Sequence, residues 1–122
     1  MSNPDFQHIR VSMVKDIAVV EVLTKDLQGP KLAKELGAEL GQVIRQDWAE
    51  RLLVDFRRNR FLSSSGFAVL FNLVNQVKAL GREVRFYGMV PEIRLGAGVV
   101  GLDKVAGIHE SEEAAIEAFS QV

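Results

Sequence analysis

The sequence predicts an α/β fold: a mixed, mainly parallel β-sheet covered by helices, in the order ββαβαβαβα, over a single domain of residues 1–122. Three observations carry that expectation. Short β-branched runs alternate with longer segments of helical apolar spacing, the signature of repeated strand–helix–strand units. Leu52-Leu53-Val54-Asp55-Phe56 is an almost unbroken apolar run, suited to a strand buried on both faces, and a helix-period segment follows it. Proline or glycine stands at helix borders, at Gly29-Pro30, Gly81 and Pro91.

Taken in order, residues 9–14 and 17–23 are β-branched and partly alternating, with Lys15-Asp16 between them, and read as a hairpin forming an antiparallel edge. Pro30 occupies the first helical position after Gly29, and Leu32, Leu36, Leu40 and Val43 recur at helical spacing. Gly37 and Gly41 weaken that helix intrinsically but let it lie close to a sheet. After the strand over 52–56, a second helix runs from about Ser64 to Leu80 and stops at Gly81, a C-terminal left-handed position. Val84–Gly88 reads as the next strand. Pro91 opens a short helical segment through about Leu95, and the glycine-rich run Gly96–Gly101 reads as a flexible connection to a last strand over 105–109. Ser111 then caps a terminal helix with Glu112 and Glu113 in its first turn.

A chain of 122 residues can bury a core without disulfides or a structural metal. Its net charge of −1 argues against a direct nucleic-acid partner, whose binding rests on clustered Lys and Arg. With no cysteine there is no disulfide, thiolate ligand or cysteine nucleophile. The segment Met1–His8 lacks the basic-then-apolar pattern of a secretory leader, and no apolar run approaches the ~18–20 residues that span a bilayer. A cytoplasmic protein without a membrane partner is expected.

Gly96-Ala97-Gly98-Val99-Val100-Gly101 has G-x-G-x-x-G spacing, yet it follows a helical segment instead of a strand, so it is not read as a dinucleotide site. His8 and His109 lie at no metal-ligand spacing, and no nucleophile, base and orienter assemble from the chain. No cofactor, no metal and no enzymatic activity are expected. Asp55, inside a buried strand, needs a partner that the sequence does not identify.

Between that strand and the second helix lie Arg57-Arg58-Asn59-Arg60 and then Phe61-Leu62-Ser63-Ser64-Ser65-Gly66. Serine side chains cap helix starts, and the positive end of the helix dipole favours phosphate. Guanidinium forks suit a phosphoserine, a nucleotide or an acidic partner, with a solvated loop as the plainer reading. The helix beyond carries two apolar stripes, Leu70, Leu73, Val77 and Leu80, and Phe67, Phe71 and Val74. The second stripe is either a partner surface or part of a broad buried arc.

Leu52–Phe56 followed by Phe61–Leu70 resembles the apolar strand, Asp-Ser-Ser-Gly switch and amphipathic helix of the STAS domain family, the sulphate transporter and anti-sigma factor antagonist domains. Gly81–Val84, Gly101–Val105, Ile108 and Ser111–Ala115 resemble that family's later signatures, so the likeness covers nearly the whole chain. The resemblance implies an anti-sigma factor antagonist that binds an anti-sigma factor serine kinase, is phosphorylated to end the binding, and is restored by a serine phosphatase. By alignment the phosphoacceptor is Ser64, flanked by Ser63, Ser65 and Gly66, with Phe67, Phe71 and Arg60 as candidate partner contacts. Two departures stand out: Ser63 replaces the family's aspartate, and Leu23-Thr24-Lys25-Asp26-Leu27 replaces its Gly-x-Leu-Asp segment. The first motivates an alternative, a constitutive STAS scaffold that assembles signalling partners without phosphorylation. Another is a STAS domain binding a nucleotide or anionic lipid at the arginines and helix start.

Overall fold

The computed structural model describes residues 6–120. Of the segment Met1–His8 read for a leader, the first five residues lie outside the described residues. The chain runs β1 (Ile9–Val14), β2 (Ile17–Val22), β3 (Asp26–Leu27), α1 (Pro30–Ile44), β4 (Arg51–Asp55), β5 (Phe61–Leu62), α2 (Ser64–Ala79), β6 (Glu83–Tyr87), α3 (Pro91–Val100), a 3-10 turn (Leu102–Lys104), β7 (Gly107–His109) and α4 (Glu112–Ser120).

β1 and β2 form an antiparallel hairpin whose turn places Lys15 at φ +56°. The main sheet has the order β1-β2-β4-β6-β7, and every pair after the hairpin is parallel. Each connection therefore moves the chain one strand further in the same direction. Crossovers of one hand that never reverse direction put their helices on one face. The packing agrees: Ala18, Val20, Leu52, Val54, Val84 and Phe86 share a core with residues of α1, α2 and α3. Their alternates Ile17, Val19, Leu53 and Tyr87 pack with Ala115 and Phe119 of α4. The fold is thus the mixed, mainly parallel α/β arrangement that the sequence predicts.

Two-residue strands β3 and β5 pair in parallel as a separate small sheet. It ties the connection after β2 to the one after β4, and no local pattern announces it.

Three expectations are corrected. The glycine-rich run is not a flexible connection: α3 continues through it to Val100, and Gly101 closes it at φ +83°. Ile93 and Ala97, one turn apart, are buried against the core, and the ring of Phe67 would sit 3.2 Å from a Cβ on Gly96. Packing overrides a helix penalty of about 1 kcal/mol per glycine. The last strand starts at Gly107 because the 3-10 turn occupies the chain before it. Leu80, placed on the buried stripe, is 52% exposed at the C-terminal cap of α2. Among the described residues no helix is long and apolar enough to cross a membrane.

Candidate switch and partner-binding site

All parallel strands end at the same edge of the molecule, so the connections that follow β2, β4, β6 and β7, and the helix N-termini they lead into, gather there. β4 delivers Asp55 into the interior, where it is 1% exposed. Its carboxylate accepts from the Arg57 backbone N–H at 2.9 Å, from Arg57 Nε at 3.1 Å and Nη2 at 2.8 Å, and from Tyr87 Oη at 2.9 Å. Burial by itself raises the Asp55 pKa, but these donors and the guanidinium charge outweigh it and hold the carboxyl below its ordinary value. Tyr87 is pushed up, first by burial and then by Asp55 and Glu112, which lies 3.0 Å from its hydroxyl. The Arg57 guanidinium, 5.4 Å from the Tyr87 ring centroid, is held charged by Asp55. Here is the partner that Asp55 required.

The arginine run is thereby divided. Arg57 serves Asp55, and Arg58 Nε binds Glu21 Oε2 at 2.8 Å. Arg60 alone of the three is exposed without an ion pair among the described residues. Two committed guanidiniums leave little of a phosphate cradle.

Asn59, fully buried, organises the same segment. Its amide Nδ2 donates to the carbonyls of Thr24 at 3.0 Å, Lys25 at 3.2 Å and Phe61 at 3.0 Å. Arg60 N and Phe61 N also donate to Lys25 O, and Ser63 N donates to Leu27 O at 3.0 Å. The segment leading to α2 is therefore stitched to the chain after β2. Sequence reasoning passed over Asn59, whose only local sign is a polar amide among arginines.

At the start of α2 the three serines part company. Ser63 is extended and its Oγ accepts from Gly66 N at 3.4 Å, the N-cap geometry that an aspartate would equally supply. Ser64, at the first helical position, is exposed and its hydroxyl has no partner among the described residues. Ser65 is half-buried. Gly66 is buried, and a Cβ there would lie 2.4 Å from Leu62 Cδ1 and 2.7 Å from Leu27 Cδ2, so the small sheet β3–β5 rests directly on the helix start. No acidic side chain occupies the first turn. Such a terminus suits a phosphate on Ser64, because unpaired N–H groups and the positive helix end face it.

Phe67 and Phe71 are half-buried and pack against the core, Phe67 toward Gly96 of α3. The broad buried arc is what they form. Among the apolar side chains that do face outward are Phe61 at 46%, Leu95 at 72% and Val99 at 80% exposed. Leu95 and Val99 stand one turn apart on α3, and Leu95 lines a groove together with Met89, Pro91 and Ile108. Reading Gly96–Gly101 as a connection hid them; the Leu95–Val99 spacing carried the signal. Among the described residues no three His, Asp or Glu side chains converge as metal ligands.

Solved structures share this architecture. An anti-sigma factor antagonist from Mycobacterium paratuberculosis aligns over 99% of this chain and 100% of its own, with a TM-score of 0.82 and 22% identity. The unphosphorylated form of the anti-sigma factor antagonist SpoIIAA aligns over 93% of this chain and 99% of its own, with a TM-score of 0.66 and 18% identity. The phosphorylated form of SpoIIAA, a Bacillus cell fate determinant, aligns over 91% and 98%, with a TM-score of 0.67 and 18% identity. At these identities the likeness establishes the fold. No curated protein matches the sequence. The STAS domain model matches residues 16–115, a span holding Ser63–Ser65, both flanking helices and all of the parallel sheet, and the chain belongs to the STAS domain family.

Proposed function

We propose that this protein is a cytoplasmic anti-sigma factor antagonist. It binds an anti-sigma factor serine kinase at the carboxyl end of its sheet, phosphorylation of Ser64 ends that binding, and a serine phosphatase restores it. The observation that carries this reading is the division of labour at the helix start: Ser63 caps, Ser65 is half-buried, and Ser64 alone presents an exposed, unengaged hydroxyl. A phosphate adds about −1.5 to −2 charges and three acceptor oxygens, which changes the face without unfolding the helix. The unphosphorylated and phosphorylated forms of SpoIIAA both resemble this chain in fold, which supports a switch that acts at the surface. Arg60 and the outward Leu95 and Val99 extend the contact face on either side, and Phe67 and Phe71 shape it from beneath.

Incubation with the cognate kinase and ATP, followed by peptide mass spectrometry, is expected to place the phosphate on Ser64. Phosphate on another serine, or none, overturns the assignment. Ser64→Asp is expected to weaken kinase binding at least about tenfold, since a fixed charge at an interface core is strongly unfavourable.

Ser63 in the family's aspartate position supports a second reading, a constitutive scaffold. It predicts unaltered binding by Ser64→Asp and recovery of other signalling proteins, without a kinase, from native lysate.

A further inference from the structure

We propose that the free edge of β1 is a homodimerisation surface, on which a second copy of this chain adds its own β1 antiparallel and joins two sheets into one. Leu23 N donates to His8 O at 2.8 Å, which makes His8 and Leu23 a hydrogen-bonded pair in the register of the hairpin. In an antiparallel ladder such pairs alternate, so Arg10, Ser12 and Val14 bond toward β2, and Ile9, Val11 and Met13 turn their N–H and C=O groups outward. No backbone partner meets those outward groups among the described residues.

The opposite edge is β7, three residues long, and shortness is one way a sheet protects an edge. β1 has six residues, Ile-Arg-Val-Ser-Met-Val, with no proline, no lysine and no bulge in its register with β2. Its side chains are matched to themselves. Centring the pairing on Val11 places Val11 opposite the copy's Val11 and Ile9 opposite the copy's Met13, and all of these are positions that exchange hydrogen bonds. Opposed residues in antiparallel strands share a face. Ile9, Val11 and Met13 lie opposite Val22, Val20 and Ala18 of the helix-covered core, so this register extends the core across the junction. Met13, 42% exposed, is the side chain this covers.

The other face is compatible in charge. Arg10 falls opposite the copy's Ser12, so like charges do not stand directly opposed, and Arg10 already pairs with Glu21 of its own chain at 3.5 Å. A two-fold axis through Val11 closes the assembly at two chains and leaves neither β1 edge free. The surface lies along the side of the sheet, away from Ser64, and stands independently of the switch.

The test is sedimentation equilibrium of the full chain from about 5 to 500 μM, a range that brackets modest association. Wild type is expected to move from one to two chain masses across it. Val11→Pro removes an outward N–H and leaves the β2 ladder intact, since edge strands admit proline where the N–H faces solvent. Met13→Lys sets a charge against the copy's Ile9. Each variant, verified as folded by its thermal transition, is expected to raise the dimer dissociation constant at least about tenfold. A monomeric wild type at the highest concentration overturns the proposal, as does a folded variant of either kind that dimerises like wild type.

Discussion

Replacing Asn59 tests whether one buried amide holds the segment leading into α2 in place. Its two N–H protons serve three carbonyls, those of Thr24, Lys25 and Phe61, so one proton is shared. In Asn59→Ala, Lys25 O keeps its bonds from Arg60 N at 2.7 Å and Phe61 N at 3.2 Å, and Phe61 O keeps its place in the parallel β3–β5 ladder, whereas the carbonyl of Thr24 loses this donor. A polar group shut away from water and left unpaired costs about 1–3 kcal/mol, and that is the loss expected. At about 3–5 °C per kcal/mol for a domain of this size, Tm is expected to fall by roughly 3–15 °C. Asn59→Asp keeps the shape but presents acceptor oxygens, and a buried charge, to three carbonyls. It is expected to destabilise more than alanine does. Calorimetry at neutral pH reads both. Variants within about 3 °C of wild type, or an aspartate variant more stable than the alanine one, would refute the reasoning.

Gly88 has φ +81°, and a Cβ there would lie 2.5 Å from Arg57 Cγ, so Gly88→Ala combines backbone strain with a clash. About 2–3 kcal/mol of destabilisation is expected in urea denaturation. Leu95→Lys alters a side chain that is 72% exposed, so stability should hold within about 0.5 kcal/mol while, on the proposed function, affinity for the kinase drops at least about tenfold in calorimetric titration. Acid stability depends on two groups held below their ordinary values, His109 by burial and Arg85, and Asp55 by the donors around it despite burial. In each case the unfolded chain takes up protons first, so stability falls as pH drops below 6.5 for His109 and again below 3.8 for Asp55. A Tm–pH series should show both declines, and Asp55→Asn should remove only the lower one.

The local record was legible where local physics decides. The apolar run of β4, the capped start of α2, the hairpin and the acidic first turn of α4 are each specified by residues within a few positions of one another, and they stand as the sequence reads. The serine that remains exposed follows from the same local geometry, since an N-cap at Ser63 sets Ser64 at the first helical position.

Other features were written in partners distant along the chain. Asp55 finds Tyr87 only because β4 and β6 are neighbours in register, and Asn59 finds Thr24 and Lys25 only because β3 and β5 pair. α3 is helical through Gly96 and Gly98 because Phe67 and the core beneath it reward that conformation, and Leu95 and Val99 become a surface only as a consequence. The sequence by itself determined the elements, their order and the chemistry available at the helix start, because backbone preference and apolar period act over a turn or two. Tertiary structure alone decided which arginine stays uncommitted, which aromatic rings are buried and which strand edge stays free. Those outcomes depend on burial and pairing between segments some thirty residues apart, which no local preference encodes.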